Sequence, residues 1–193
     1  MAEVYQLRNE KSYRTWDYAH YVSSRYNQTI LFDLLKTYWD YPLHHVWSHF
    51  PFHVQTNEET IQFPYASMQL FLPEILLFDA STKILLEQIL SKTGEFLPIH
   101  NHEKEIYFYH LLKKIPALDL EQSIVRRYPS NGEIANFHKL VFKPHLIKDQ
   151  YLFQIPESSS RIFVTDQFVK VVKKYQLNGL RFIPVWKSSQ QDL

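Results

Sequence analysis

Residues 161–186 spell strand, capped helix, glycine stop and second strand in one short stretch, and no other part of the chain restricts the fold as strongly. Ile162, Phe163 and Val164 make the first strand. Thr165 is placed to cap a helix by accepting a first-turn amide on its hydroxyl, and Asp166 sets negative charge beside the positive helix end. Phe168, Val171, Val172 and Tyr175 recur at helical spacing as one apolar stripe, with Lys170, Lys173 and Lys174 off it. Asn178 and Gly179 tolerate the left-handed backbone that terminates a helix. From Leu180 the pattern alternates, so Leu180, Phe182 and Trp186 are expected on one face. Pro184 then requires an edge strand or a bulge, because it donates no ladder hydrogen bond.

With 193 residues and 45% hydrophobic content, the chain can bury a core as one large domain or two small lobes. Its 13 Tyr, 14 Phe and 4 Trp mean that much of the packing comes from rings whose hydroxyl and indole groups need partners. The three glycines, at 94, 132 and 179, stand too far apart to build a phosphate-cradling loop. Balanced charge, +1 overall, leaves no footprint for a polyanion, so no nucleic-acid partner is expected. The absence of cysteine excludes disulfides and thiolate metal sites and fits a reducing compartment. No run approaches the roughly 18 apolar residues of a membrane span, and the first ten residues lack a basic and then apolar signal pattern. The expectation is a cytoplasmic chain without a membrane partner.

Along the chain, residues 3–7 alternate and open the fold as a strand. Residues 30–35 are apolar and ambiguous between strand and helix. Prolines bracket an irregular segment at 41–52. A polar turn at 57–60 precedes short strands at 61–63 and 68–71. Asp79 or Ser81 caps a helix carrying Ile84, Leu85, Gln88 and Ile89, which stops near Gly94. The turn at 92–95 divides an aromatic N-terminal lobe, 1–95, from a second lobe, 96–193, within what is expected to be one compact unit. Strands follow at 106–112, 137–142 and 151–155, with a hairpin connection at 129–132, and no internal repeat is visible. Few short helices among many turns, without a regular strand-helix-strand rhythm, predict an α+β fold with a mainly antiparallel sheet and a closing strand-helix-strand unit.

No group of residues makes a convincing catalytic set. His45, His49 and His53 would share a face on a continuous helix, but Pro51 interrupts the run and no acidic ligand stands at a regular offset, so neither metal nor cofactor is expected. Glu103 and Glu105 place two carboxylates on the same side of an extended segment, where they suit acid-base chemistry or keep a strand edge soluble. The serines at 158–160 lack the glycine elbow of a nucleophile.

The pieces that remain distinctive are Leu97-Pro98-Ile99 followed by the aromatic run 106–112, the run Ala117-Leu118-Asp119-Leu120-Glu121-Gln122-Ser123, and the ending at 162–168 and 177–186. In that order they resemble bacterial immunity proteins of polymorphic toxin systems, families eleven and forty-three, over the C-terminal half. The resemblance implies a non-enzymatic, cytoplasmic inhibitor. Its implied partner is the C-terminal domain of a cognate toxin, a secretion-system effector of interbacterial competition, whose active site it blocks to protect the producing or sister cell. Such a protein needs exposed aromatic anchors and a polar rim. The candidate contacts are Tyr38, Trp39, Asp40, Tyr41, His44, His45 and His49, then Glu58 and Glu59, and Glu103 and Glu105. Two other readings stay open: an unrecognised enzyme using the His-rich segment, and a structural or adaptor subunit.

Overall fold

The computed structural model describes residues 2–18, 40–47, 54–72, 75–99, 101 and 103–188. The apolar run 30–35 lies outside them, as does the chain end from 189. The fold is α+β with antiparallel ladders throughout, as the sequence predicts. One four-stranded sheet has the order β10 (Leu152–Ile155), β11 (Ser158–Thr165), β1 (Glu3–Asn9), β12 (Leu180–Lys187). A second has the order β4 (Met68–Leu72), β5 (Ile75–Asp79), β7 (Ile106–Leu111), β6 (Gly94–Ile99). Two short antiparallel pairs, β2 (Trp16–Tyr18) with β3 (Val54–Thr56) and the hairpin of β8 (Ile124–Arg127) with β9 (Ile134–Lys139), stand beside them. Residues 1–95 and 96–193 both contribute to each large sheet.

Both sheets contain the same unit. β11, helix α3 (Asp166–Lys174) and β12 form a strand-helix-strand crossover whose two strands, each antiparallel to β1, are parallel to one another and separated by it. β5, helix α1 (Ala80–Leu90) and β6 repeat the arrangement, with β7 in the gap. The likeness reaches the sequence. Asp79 and Thr165 occupy the N-cap positions, and at the same distance beyond each comes a tetrapeptide of the same pattern, phenylalanine, aliphatic, proline, aliphatic, in Phe96-Leu97-Pro98-Ile99 and Phe182-Ile183-Pro184-Val185. This corrects the expectation of no internal repeat. Both prolines stand in edge strands, where a missing N–H costs little.

Strand alternation sorts the core into three layers. Leu76 and Phe78 of β5 join Leu152, Ile162 and Val164 of the other sheet in a central layer, with Leu86, Leu90, Phe168 and Val172 from the two helices. Ile75 and Leu77 face the other way, toward Trp16, Leu43 and Trp47. Phe163 and Phe153 do the same on the far side, where Phe142 meets Phe163 and Trp186 edge-on at 5.2 and 5.9 Å. Helix α2 (Pro144–Ile147), a single turn, adds Ile147 to that layer.

Local expectations were corrected in four places. Thr165 caps nothing; its hydroxyl donates to the Gln150 carbonyl, whereas Asp79 does cap α1 by accepting the Thr82 amide at 2.8 Å. α1 buries Thr82, Leu86 and Leu90 and leaves Ile84 71% exposed, because β5 delivers the helix one step round from its most apolar stripe. Residues 61–63 are a turn, held by Arg14 donating to the Ile61 and Phe63 carbonyls. Trp186 leaves the face of Leu180 and Phe182, since the β1–β12 register skips Val185 between Pro184 and Trp186. Among the described residues, no helix is long and apolar enough to cross a membrane.

The sheets are stitched by polar groups that imitate strand pairing. Asn9 donates its amide to the Leu70 carbonyl at 2.7 Å and accepts the Leu70 N–H at 2.8 Å. Gln69 does the same with the Trp16 backbone, at 3.0 and 2.6 Å. The Asn178 carbonyl accepts the Met68 N–H at 3.1 Å, and Gly179 follows at φ +99°. A Cβ on Gly179 would overlap the Met68 carbonyl oxygen and stand 2.6 Å from the Ala66 Cβ. Gly179→Ala is therefore expected to destabilise the protein by about 2–4 kcal/mol, combining a strained φ with a backbone clash. Urea denaturation followed by tryptophan fluorescence checks this as a lowered midpoint.

Candidate functional site

β6 is an edge strand, and an unpaired edge invites pairing with another chain unless something covers it. The segment 40–47 covers it. Leu43 and Trp47 are buried against Leu97, Ile99 and Phe108, and the Trp47 indole N–H donates to the Pro98 carbonyl at 2.6 Å. At the start of β6, Glu95 takes the Leu43 N–H, the His44 N–H at 3.2 Å and the His44 Nδ1 at 3.1 Å. His110, directly across the β6–β7 ladder, adds its Nδ1 at 3.0 Å. An ionised carboxylate only accepts, so both imidazole nitrogens facing it carry hydrogen.

Burial works to raise the Glu95 carboxyl, but the hydrogen bonds from His110, Leu43 and His44 outweigh it and hold the group at about 2. The result is a rigid strap whose outward side chains are free to touch something else. Tyr41 is 64% exposed, and His44 and His45 are exposed with their rings edge-on at 5.4 Å. Asp40 pairs with Lys114 at the side of the strap.

The structure thus brings together Asp40, Tyr41, His44 and His45 at one end of β6. Tyr38, Trp39 and His49 lie outside the described residues, as do His53, His100 and His102. Glu103 and Glu105 follow the other end of the strand, about 17 Å away at the usual rise per residue. Glu103 accepts the Tyr65 hydroxyl and the Thr56 hydroxyl, and its carboxyl is held below the usual range chiefly by the Tyr65 bond. The cations of Arg14 and Lys104 stand 4.3 and 4.4 Å from the centroid of the Tyr65 ring, which also stacks on Trp16. Glu105 accepts the Tyr107 hydroxyl. Glu58 and Glu59 are exposed on a single 3-10 turn capped by Asn57. Two carboxylates engaged by different tyrosines do not converge on one reacting atom, and among the described residues no group of three His, Asp or Glu side chains could hold a metal ion.

The sequence reading missed Glu95 and His110. Its signal was available: an isolated histidine inside the apolar strand 106–111, opposite an isolated glutamate once 94–99 is paired with it.

The family model of the Immunity protein family (Imm11) matches residues 83–187, more than half of the chain. This chain belongs to that immunity protein family. No curated protein matches it. The matched span starts inside α1 and ends with β12, so it holds most of α1 and all of α3 but omits β1 to β5. An Imm11 protein therefore completes both sheets here with N-terminal strands, and residues 40–47 and 54–65 decorate the matched half from outside it.

Loss of the Glu95 charge should loosen the strap. Glu95→Gln is expected to cost about 2 kcal/mol at neutral pH, the usual worth of a hydrogen bond to a charged group. Because the folded carboxyl lies at about 2 against an ordinary 4.5, its contribution is complete above pH 4.5 and is lost as pH falls towards 2. Denaturation midpoints measured across that range should fall more steeply for the wild type than for Glu95→Gln.

Proposed function

We propose that this protein neutralises a cognate toxin by binding its C-terminal domain and covering the active site, without chemistry of its own. Membership of the immunity protein family carries the reading. It is supported by the strap at 40–47, an exposed aromatic and imidazole surface fixed to a sheet edge by Glu95 and Trp47, since a preorganised surface loses little entropy on binding. In this reading Tyr41, His44 and His45 are anchors, Asp40 belongs to the rim, and Tyr38, Trp39 and His49 extend the same segment. Glu58, Glu59, Glu103 and Glu105 form a second, acidic contact at the far end of β6 that complements basic groups on the toxin. The cysteine-free chain suits a cytosolic target for that toxin.

Producing the toxin domain encoded beside this protein should kill cells unless the protein is co-produced, and the purified pair should co-elute. Killing that is indifferent to this chain would overturn the proposal. Tyr41→Ala and His45→Ala should each weaken the pair about tenfold or more, as truncated interface anchors do, with melting temperatures unchanged because both side chains are exposed.

A further inference from the structure

The opposite side of the molecule carries a cleft of a different character. Its volume is about 410 Å³, and it lies between the end of the β8–β9 hairpin and the outer face of the β11–β1–β12 sheet. Val185 and Trp186 line it from β12, Gln6 from β1 and Arg161 from β11. Arg161 is half-buried, its guanidinium carbon 5.0 Å from the centroid of the Phe137 ring. Lys139 and His138, both exposed, stand at the same opening.

Among the described residues Arg161 makes no ion pair. Burial alone pushes its guanidinium below the ordinary value, with no carboxylate opposing that effect. A guanidinium nevertheless stays charged, so the fold keeps a partly desolvated cation that is costly until an anion meets it. The acids nearest in sequence to the hairpin sit in the turns at its ends. Glu121 is exposed without an ion pair among the described residues, Asp119 spends its oxygens on the Glu121 and Gln122 amides and the Gln122 side chain, and Glu133 follows Gly132 in the exposed tip.

The hairpin continues the surface. Arg126 is exposed without an ion pair among the described residues, and Arg127 donates to the Gly132 carbonyl at 2.8 Å. Ile124, paired with Lys139 at the cleft end of β8, is 57% exposed, and Tyr128, just past the other end of that strand, is 52% exposed. Arginine and tyrosine beside an exposed aliphatic group are the composition of a protein-binding surface.

We propose that this cleft receives a carboxylate from an acidic loop of the protein partner, with Arg161 making the charge-assisted pair, Ile124 packing beside it, and Tyr128 further along the hairpin extending the contact. The partner's identity as the toxin rests on the immunity reading; the ligand class rests on the cleft. Protein is favoured over nucleic acid because the recessed cation is Arg161 with Lys139 alone at the rim, within a space that fits one or two side chains. A phosphate backbone calls for a long basic stripe on a chain of clear positive charge, and this chain carries +1.

The test is a nuclear magnetic resonance titration of the full chain with tetraglutamate, tetraglutamine and oligothymidylate. Tetraglutamate should shift the Arg161 Nε–H signal and the amides of 137–141 to saturation, and tetraglutamine should not. Arg161→Gln should weaken the interaction about tenfold or more, and Arg161→Lys less, since charge survives but the bidentate fork does not. Should Arg161→Gln prove unfolded, Lys139→Gln on the exposed rim should weaken it about two- to fivefold. Unshifted cleft signals, equal shifts with tetraglutamine, or tighter binding of oligothymidylate would overturn the proposal. Co-elution with the toxin domain separates the two readings. A wild-type chain that fails to co-elute defeats the immunity reading and leaves the peptide result standing. Co-elution unchanged in both Arg161→Gln and Lys139→Gln removes the cleft from the toxin contact and leaves the immunity reading intact.

Discussion

A crossover of two parallel strands with a gap between them leaves a row of N–H and C=O groups open on each inner edge, and filling that gap is the constraint on which this structure depends. Buried backbone polar groups must be paired. β1 closes the gap between β11 and β12 with antiparallel ladders on both sides, and β7 does the same between β5 and β6. The two gaps are filled from opposite directions along the chain. In the second sheet the filler follows the unit it completes, whereas in the first it comes from the opening residues, so that sheet is assembled only when the whole chain is present.

That arrangement places the family resemblance in context. The matched span carries the helices and their flanking strands β6 and β12, the parts whose sequence is tied to packing, while the strand that completes the first sheet lies outside it. The proposed contact surfaces divide in the same way. The strap at 40–47 belongs to the unmatched half and is laid along an edge of the matched half, and the hairpin with its Arg161 cleft is within the match. On the proposed reading, such a protein has a family frame with one contact surface drawn from outside the matched span, which gives a physical place for partner specificity to vary without disturbing the core.

Electrostatics distinguishes the two surfaces. Glu95 is satisfied several times over, and its negative charge is consumed in fixing the strap. Arg161 has a ring for a neighbour and, among the described residues, no ion pair, so no carboxylate there consumes its charge. A fully used carboxylate reads as structure, and an unused, half-buried guanidinium reads as recognition. Balanced net charge hid both from the composition, because a sum over the chain says nothing about where unpaired charges stand.

The sequence by itself determined the class of fold, the closing strand-helix-strand segment and the edge or bulge at Pro184, since these depend on periodicity and on residues whose backbone preferences are local, and its motifs carried the resemblance to the family. It also contained the repeat, in Phe96–Ile99 and Phe182–Val185, although short apolar motifs stand out only after the strands they end are known to be equivalent. Tertiary structure alone decided which face of α1 is buried, that a bulge turns Trp186 away from Phe182, that β1 sits at the centre of a sheet formed mostly from the chain's other end, and that Glu95 meets His110 and His44. Each of those follows from pairing across long stretches of chain. Side chains far apart in sequence become neighbours only through the register of a ladder, and no local preference encodes that register.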